Sequence, residues 1–211
     1  MLRITETFLS IQGESGTIGL PTVFVRLTGC PLRCKYCDTA YAFNGGEKMS
    51  VDSVVEAVLR FAVNRVTVTG GEPLAQPECL LLLRVLCDQG FAVSIETSGA
   101  LSIDEIDPRV TTVMDLKTPS SGEQHRNLYE NLAYLDNDDE IKFVVSNRAD
   151  YDWAKATISK YQLLDGVHLL MSPNHEVLHP RVLAEWILED RLPVRLQVQL
   201  HKYLWGNEPG H

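Results

Sequence analysis

Short apolar runs ending in polar residues recur along the whole 211-residue chain, and they set its fold class. Pro21 to Leu27 (PTVFVRL) has the apolar density of a buried strand. Arg65 to Thr69 (RVTVT) alternates and stops at Gly70-Gly71. Ala92 to Glu96, Val110 to Leu116, Glu140 to Val145, Val167 to Met171 and Val194 to Leu200 continue the series. Helical patterns lie between them. Ser50 to Ala62 opens on a capping residue and repeats Val51, Val54, Val55, Val58, Leu59 and Ala62 at helical spacing. Pro77 to Gln89 is an apolar helix stopped by Gly90, where a left-handed residue is easiest. Asp150 to Tyr161 and Pro180 to Leu188 are two more helices.

Strands alternating with helices predict a parallel sheet with right-handed crossovers. A complete eight-unit barrel takes about 250 residues, and some crossovers here lack a helix. The expected class is α/β: a shortened, open, partial TIM-like barrel of six or seven mostly parallel strands, one domain over residues 1–211. In such sheets the chemistry gathers at the carboxyl ends of the strands. Four strand ends carry polar punctuation there: Gly70-Gly71-Glu72, Glu96-Thr97-Ser98-Gly99, Asp115-Leu116-Lys117 and Ser172-Pro173-Asn174. One would be a turn; four at strand ends mark a site.

The net charge of −9 argues against nucleic-acid binding, because an acidic surface repels phosphates. No apolar run approaches the ~18 residues of a membrane span. The first residues, Met1 to Glu6, lack the basic-then-apolar pattern of a secretory signal, so a reducing, cytoplasmic setting is expected. Five cysteines, three of them tightly clustered, read as metal ligation rather than a disulfide framework. Cys79 and Cys87 sit inside an apolar helix and read as core residues.

The cluster is Cys30-Pro31-Leu32-Arg33-Cys34-Lys35-Tyr36-Cys37, a C-x3-C-x2-C loop just after a strand and Gly29. Three thiolates on a short loop can hold three irons of a cubane cluster. The fourth iron then keeps an open position, as a catalytic metal site requires. A structural zinc site would need a fourth ligand, and no further His or Cys lies nearby in the loop.

This loop, with Tyr36 before its last cysteine, resembles the signature of the radical S-adenosylmethionine superfamily. The resemblance implies a [4Fe–4S] cluster on Cys30, Cys34 and Cys37. Its reduced form would cleave S-adenosylmethionine to a 5′-deoxyadenosyl radical. It also implies cofactor contacts from Tyr36, Asp38, Gly70, Gly71, Glu72, Glu96, Ser98, Asp115, Leu116, Lys117, Ser172, Pro173 and Asn174. Within these, Gly70 and Gly71 would let backbone approach the ligand, and Lys117 would pair with the methionine carboxylate.

Further motifs narrow the resemblance. Phe8 to Gly16 (FLSIQGESG), Arg26 in the strand before the loop, Gly29 to Thr39 (GCPLRCKYCDT) and Gln199-Leu200-His201-Lys202-Tyr203 closely resemble the 7-carboxy-7-deazaguanine synthases. One departure is Ser15-Gly16 where a Gly often follows the Glu. That family converts 6-carboxy-5,6,7,8-tetrahydropterin to 7-carboxy-7-deazaguanine with loss of ammonia, on the way to queuosine and other deazapurines. The resemblance implies Mg²⁺ at Thr39 and substrate contacts from Ile11, Gln12, Gly13, Glu14, Arg26, Thr69 and His201. A hydroxyl is a poor sole ligand, so substrate oxygens and waters would complete the Mg²⁺ shell. Gln12 offers a donor and an acceptor to a pterin edge, Glu14 offers acceptors, and Arg26 can fork onto a carboxylate. A homodimer and a reductant such as flavodoxin are also implied, with no nucleic-acid or membrane partner. His125, His168, His175, His179 and His211 belong to no motif, and Trp153, Trp186 and Trp205 read as packing residues. The alternative is a glycyl-radical-enzyme activase, which shares the cysteine spacing but needs a docking surface for a large protein.

Overall fold

A computed structural model describes residues 1–206, 208 and 210; His211 lies outside the described residues. Its strands are β1 (Leu2–Ile11), β2 (Pro21–Leu27), β3 (Glu47–Met49), β4 (Arg65–Gly70), β5 (Ala92–Thr97), β6 (Thr111–Asp115), β7 (Glu140–Val145), β8 (His168–Pro173) and β9 (Arg195–Leu196). They form one open sheet in the order β3-β1-β2-β4-β5-β6-β7-β8-β9. From β2 to β9 every junction is parallel. These seven strands are the expected partial barrel. Antiparallel β1 and β3 extend it at one edge, beyond that expectation.

Each long parallel strand carries two opposite faces. Val23, Val25, Leu27, Val66, Val68, Val93 and Ile95 point outward into a core shared with α1 (Val51–Leu59) and α2 (Glu78–Asp88). Met114, Ile141, Phe143, Leu169 and Met171 join a second core under α3 (Arg148–Tyr161) and α4 (Pro180–Asp190). The intervening residues turn into the barrel, since successive side chains alternate across a strand. Those positions carry Arg26, Thr67, Thr69, Ser94, Glu96, Asp115, Glu140 and Lys142. Polar side chains therefore gather in the barrel interior beside Phe24, Val113 and Val144, and the main apolar packing lies outside, against the helices.

β1 obeys the same rule through a break. Leu2 and Ile4 pack in the outer core, whereas Phe8 faces the barrel cavity and Glu6 holds cavity-lining Arg26. All four are even-numbered, yet they serve opposite faces. The pairing with β2 shifts between Ile4 and Glu6, and an irregularity of one residue moves every later side chain to the other face.

Two element boundaries differ clearly from expectation. The helix opening at Ser50 ends at Leu59, and Ala62 takes a left-handed φ of 53° that no helix continues. The last strand, expected over Val194 to Leu200, is paired only at Arg195–Leu196. Beyond it the chain turns inward, and α5 (Leu200–Trp205) begins. The crossover between β5 and β6 carries no helix, and that between β6 and β7 carries only 3-10 turns. Fully buried Asn131 braces them by donating to Gly99 O and Leu101 O and accepting from Ile103 N.

The capping reading at Ser50 is correct: its hydroxyl accepts from Ser53 N at 3.1 Å. Ser50→Ala is expected to cost about 1 kcal/mol. A thermal melt then shifts down by about 2–4 °C; no shift would mean the cap is replaced by water.

Candidate active site at the carboxyl ends of the strands

The strand ends open into a cavity of about 660 Å³. Cys30, Cys34 and Cys37 line one wall of it, on the loop after β2. That loop is pinned from both sides. Gly29 N donates to Ala42 O at 2.8 Å, and Gly29 O accepts from Glu72 N at 2.8 Å. On the other side, Lys35 N donates to Ser121 O at 3.0 Å and Arg33 N to Glu123 Oε1 at 2.7 Å. Arg33 folds back onto the Cys30 and Leu32 carbonyls, its guanidinium 4.2 Å from the Phe43 ring centre.

The three thiols are half-buried, and burial raises all of them; Cys34 is pushed up to about 11. Neutral thiols of this kind become thiolate ligands when a cation replaces their protons. Among the described residues no three His, Cys, Asp or Glu side chains converge on a single ion. A zinc ion needs such convergence, at about 2.3 Å per thiolate. A cubane gives each thiolate an iron of its own, and three half-buried free thiols on one loop, facing one cavity, offer that donor set.

Gly70 and Gly71 line the same cavity, but their missing side chains serve another purpose. A Cβ on Gly70 would lie 2.3 Å from Leu27 O, and one on Gly71 would lie 2.2 Å from Gly29 O and 2.7 Å from Cys30 Cβ. The pair lets β4 dock against the cysteine loop. Glu72 corrects its expected role. It is fully buried away from the cavity, and its carboxylate accepts from Thr97 Oγ1, Ser98 N, Ser98 Oγ and Leu74 N. It ties the end of β4 to the end of β5 and has no face left for a cofactor. Leu116, Ser172 and Pro173 are likewise buried and do not line the cavity. Leu116 faces the outer core, and its N–H bonds Lys142 O. Tyr36, Asp38, Glu96, Ser98, Asp115, Lys117 and Asn174 do line it, as do Ile11, Gln12, Gly13, Glu14, Arg26, Thr39, Thr69 and His201.

The turn Gln12-Gly13-Glu14-Ser15 is held mainly by the C-terminal segment. Gln197 accepts from Ser15 N and donates to Ser15 O, both at 2.8 Å, and Leu200 N donates to Gly13 O at 3.0 Å. His201 sits on α5 rather than on a strand. It packs so close to Gly13 that a Cβ there would lie 2.1 Å from Nδ1. Burial holds His201 below its usual range, toward the neutral imidazole. Lys202 reaches Asp38 at 3.3 Å, so α5 touches both the turn and the cysteine loop. The inward turn after Leu196 thus closes the gap that the open sheet leaves.

Several side chains already hold partners. Arg26 Nε donates to Glu6 Oε1 at 2.7 Å, and Tyr41 OH donates to the same oxygen. Lys117, expected to meet a carboxylate of the ligand, lies 3.1 Å from Asp115 Oδ2. Burial works against its ammonium, and Asp115, Cys34 and Tyr36 together outweigh that and raise it. Gln12 donates to Thr67 Oγ1 and accepts from Glu14 N. Its second N–H and second lone pair remain for a ligand.

A family model described as the Radical SAM superfamily matches residues 24–115, which span the cysteine loop, the glycine pair and the ends of β2, β4, β5 and β6. A 7-carboxy-7-deazaguanine synthase from Chlorobaculum tepidum is 47% identical over 208 residues, covering 97% of this chain and 94% of that protein. The chain belongs to the 7-carboxy-7-deazaguanine synthase family. A second synthase of that name, from Koribacter versatilis, is 41% identical and is covered over 98% of both chains. The crystal structure of QueE from Escherichia coli superposes with a TM-score of 0.78 over 95% of this chain and 94% of that one, at 24% identity. That likeness bears on the fold, an open α/β barrel.

Glu6, Lys142 and Gln197, which hold Arg26, Glu14 and Ser15, belong to none of the motifs legible in the sequence. Lys142 stands in EIKFVV, where a charge inside an apolar strand was the available signal.

Proposed function

We propose that the chain converts 6-carboxy-5,6,7,8-tetrahydropterin to 7-carboxy-7-deazaguanine with loss of ammonia, as a radical S-adenosylmethionine lyase. One observation carries this reading. The three cysteines share a single cavity with Gln12, Glu14, Arg26, Thr69 and His201, residues that match the synthase motifs. Product and ammonia together contain every atom of the substrate, so the reaction has no net redox demand. A cofactor that returns unchanged is sufficient.

Cys30, Cys34 and Cys37 would hold the [4Fe–4S] cluster. Asp115 Oδ1 is buried against the cavity without a hydrogen-bond partner among the described residues, so an ammonium or hydroxyl donor of S-adenosylmethionine fits there. Together these groups, when bound, would supply a radical able to remove a hydrogen atom from the substrate. The chain's own residues bind and orient. Arg26 spends Nε on Glu6 and keeps its terminal nitrogens for the substrate carboxylate. Glu14 and Glu96 present acceptors, with Glu96 held by Thr69 Oγ1 at 2.8 Å. Thr39, whose hydroxyl donates to Asp38 at 2.8 Å, keeps lone pairs for one Mg²⁺ position.

We extend the reading to a flavodoxin-like reductant, a cytoplasmic setting and a homodimer. Exposed Leu196, Val198, Tyr203 and Leu204 support the last as an apolar surface. Among the described residues no helix is long and apolar enough to cross a membrane. The activase alternative is not favoured, because the near-full-length relatives are synthases.

Arg26→Ala is expected to raise KM for the pterin about 10- to 100-fold, the loss of charge-assisted hydrogen bonds worth about 1.5–3 kcal/mol. The dissociation constant for S-adenosylmethionine should stay within about twofold. Equal loss of both affinities would make Arg26 a structural residue only.

A further inference from the structure

We propose that Lys142 is the positioning residue of the substrate cavity: its ammonium, seated between two carboxylates, keeps Glu14 ionised and aimed at the donor-rich edge of the substrate. The inference rests on the pterin reading above.

The geometry is specific. Lys142 projects from the middle of β7 into the barrel, on the face opposite Ile141 and Phe143. Its Nζ lies 2.5 Å from Glu14 Oε2 and 3.5 Å from Asp115 Oδ2. Glu14 Oε1 accepts from Gln199 Nε2 at 2.7 Å. Each oxygen of Glu14 is thus anchored once, from opposite sides, by β7 and by the C-terminal segment. A carboxylate accepts about four hydrogen bonds, so lone pairs remain on both oxygens. The anchors fix the plane in which those lone pairs can meet two N–H groups of a flat heterocycle.

Charge matters as much as direction. Glu14 is buried, and a buried carboxyl without a cation takes up a proton. A protonated Glu14 would offer one donor and fewer acceptors, the wrong complement for an amino-bearing ring edge. Glu14 faces Lys142 from β7 and Gln199 and His201 from the C-terminal segment, and Lys142 in turn faces Asp115 from β6 and Glu96 from β5. Lys142 is the cation in contact with it. Burial alone would raise Glu14; Lys142 and then Gln199 outweigh that and hold it below its ordinary 4.5. Asp115 also draws on Lys142, but Lys117 neutralises it independently at 3.1 Å. Lys142 is therefore free to serve Glu14.

The sign follows. With Lys142 present, Glu14 stays ionised from pH 8 down to pH 5.5 and contributes no pH dependence to binding there. In Lys142→Met, burial dominates, Glu14 titrates above its ordinary value, and pterin affinity is lost as pH falls through that value. The test uses cluster-loaded protein saturated with S-adenosylmethionine. Equilibrium binding of 6-carboxytetrahydropterin is measured by calorimetry from pH 5.5 to pH 8, as the ratio of variant to wild-type dissociation constants, which cancels titration of the ligand and of His201. The ratio is expected to climb toward about tenfold per pH unit on the acidic side. It should be flat in Lys142→Arg and in the double variant Lys142→Met with Glu14→Gln. A flat ratio for folded Lys142→Met overturns the proposal while wild-type binding keeps the pterin reading intact. No pterin binding by the wild type overturns that reading itself. Should Lys142→Met not fold, a carbon-13 titration of the Glu14 carboxyl in the wild type decides. Ionisation below 4.5 supports the proposal, and titration above it is contrary.

Discussion

Replacing Cys34 by alanine is expected to leave the protein colourless after anaerobic loading with iron and sulfide, and to abolish turnover. The loop offers three thiolates for three irons, and two cannot hold the cubane against loss. The fold should survive. Cys34 lies on the loop, outside both apolar cores, and its backbone carbonyl still accepts from Cys37 N. The contacts of Lys35 N with Ser121 and of Arg33 N with Glu123 also use backbone donors. Unfolding of the metal-free variant should therefore match the metal-free wild type within about 0.5 kcal/mol. Visible absorbance typical of an intact cluster in this variant would mean that the ligands are assigned wrongly.

Glu72→Ala should strike stability first. Four donors converge on this fully buried carboxylate, from Thr97, from the backbone and hydroxyl of Ser98, and from Leu74. Removing it strands buried donors at about 1–3 kcal/mol each. A total of about 3 kcal/mol or more lowers the melting temperature by about 6–12 °C in a chain of this size. Below the transition, S-adenosylmethionine should still bind, because Glu72 does not face the cavity. Unchanged melting with lost cofactor binding would restore Glu72 as a direct ligand.

The contrast between these two residues shows what the chain makes legible. Cysteines at fixed spacing advertise a shared ligand, and their loop follows a strand whose apolar run is unmistakable. Glu72 sits in an equally conspicuous motif, but its partners come from the end of β5, 25 and 26 residues away in sequence. Its polarity marks a strand end without saying which way the side chain turns. The parallel strands were readable because one face of each is apolar for the helices. The same alternation hid the site: Thr67, Ser94, Glu140 and Lys142 look like solvent-facing positions, and only barrel curvature turns them inward. β1 was unreadable for a second reason. Its irregularity between Ile4 and Glu6 exchanges the two faces and breaks the period. The late strand is shorter than its pattern suggests: Val194 to Leu200 alternates, yet Gln197 and Gln199 leave the sheet to hold Ser15 and Glu14. Long-range polar contacts of this kind leave no local pattern.

The most direct test is anaerobic turnover. The cluster-loaded protein is incubated with S-adenosylmethionine, Mg²⁺, a reductant and 6-carboxy-5,6,7,8-tetrahydropterin, and the products are followed by mass spectrometry. The expected result is 7-carboxy-7-deazaguanine in excess over enzyme, with ammonia in equal amount. Formation of 5′-deoxyadenosine without the deazaguanine, from protein carrying an intact and reducible cluster, would contradict the assigned substrate.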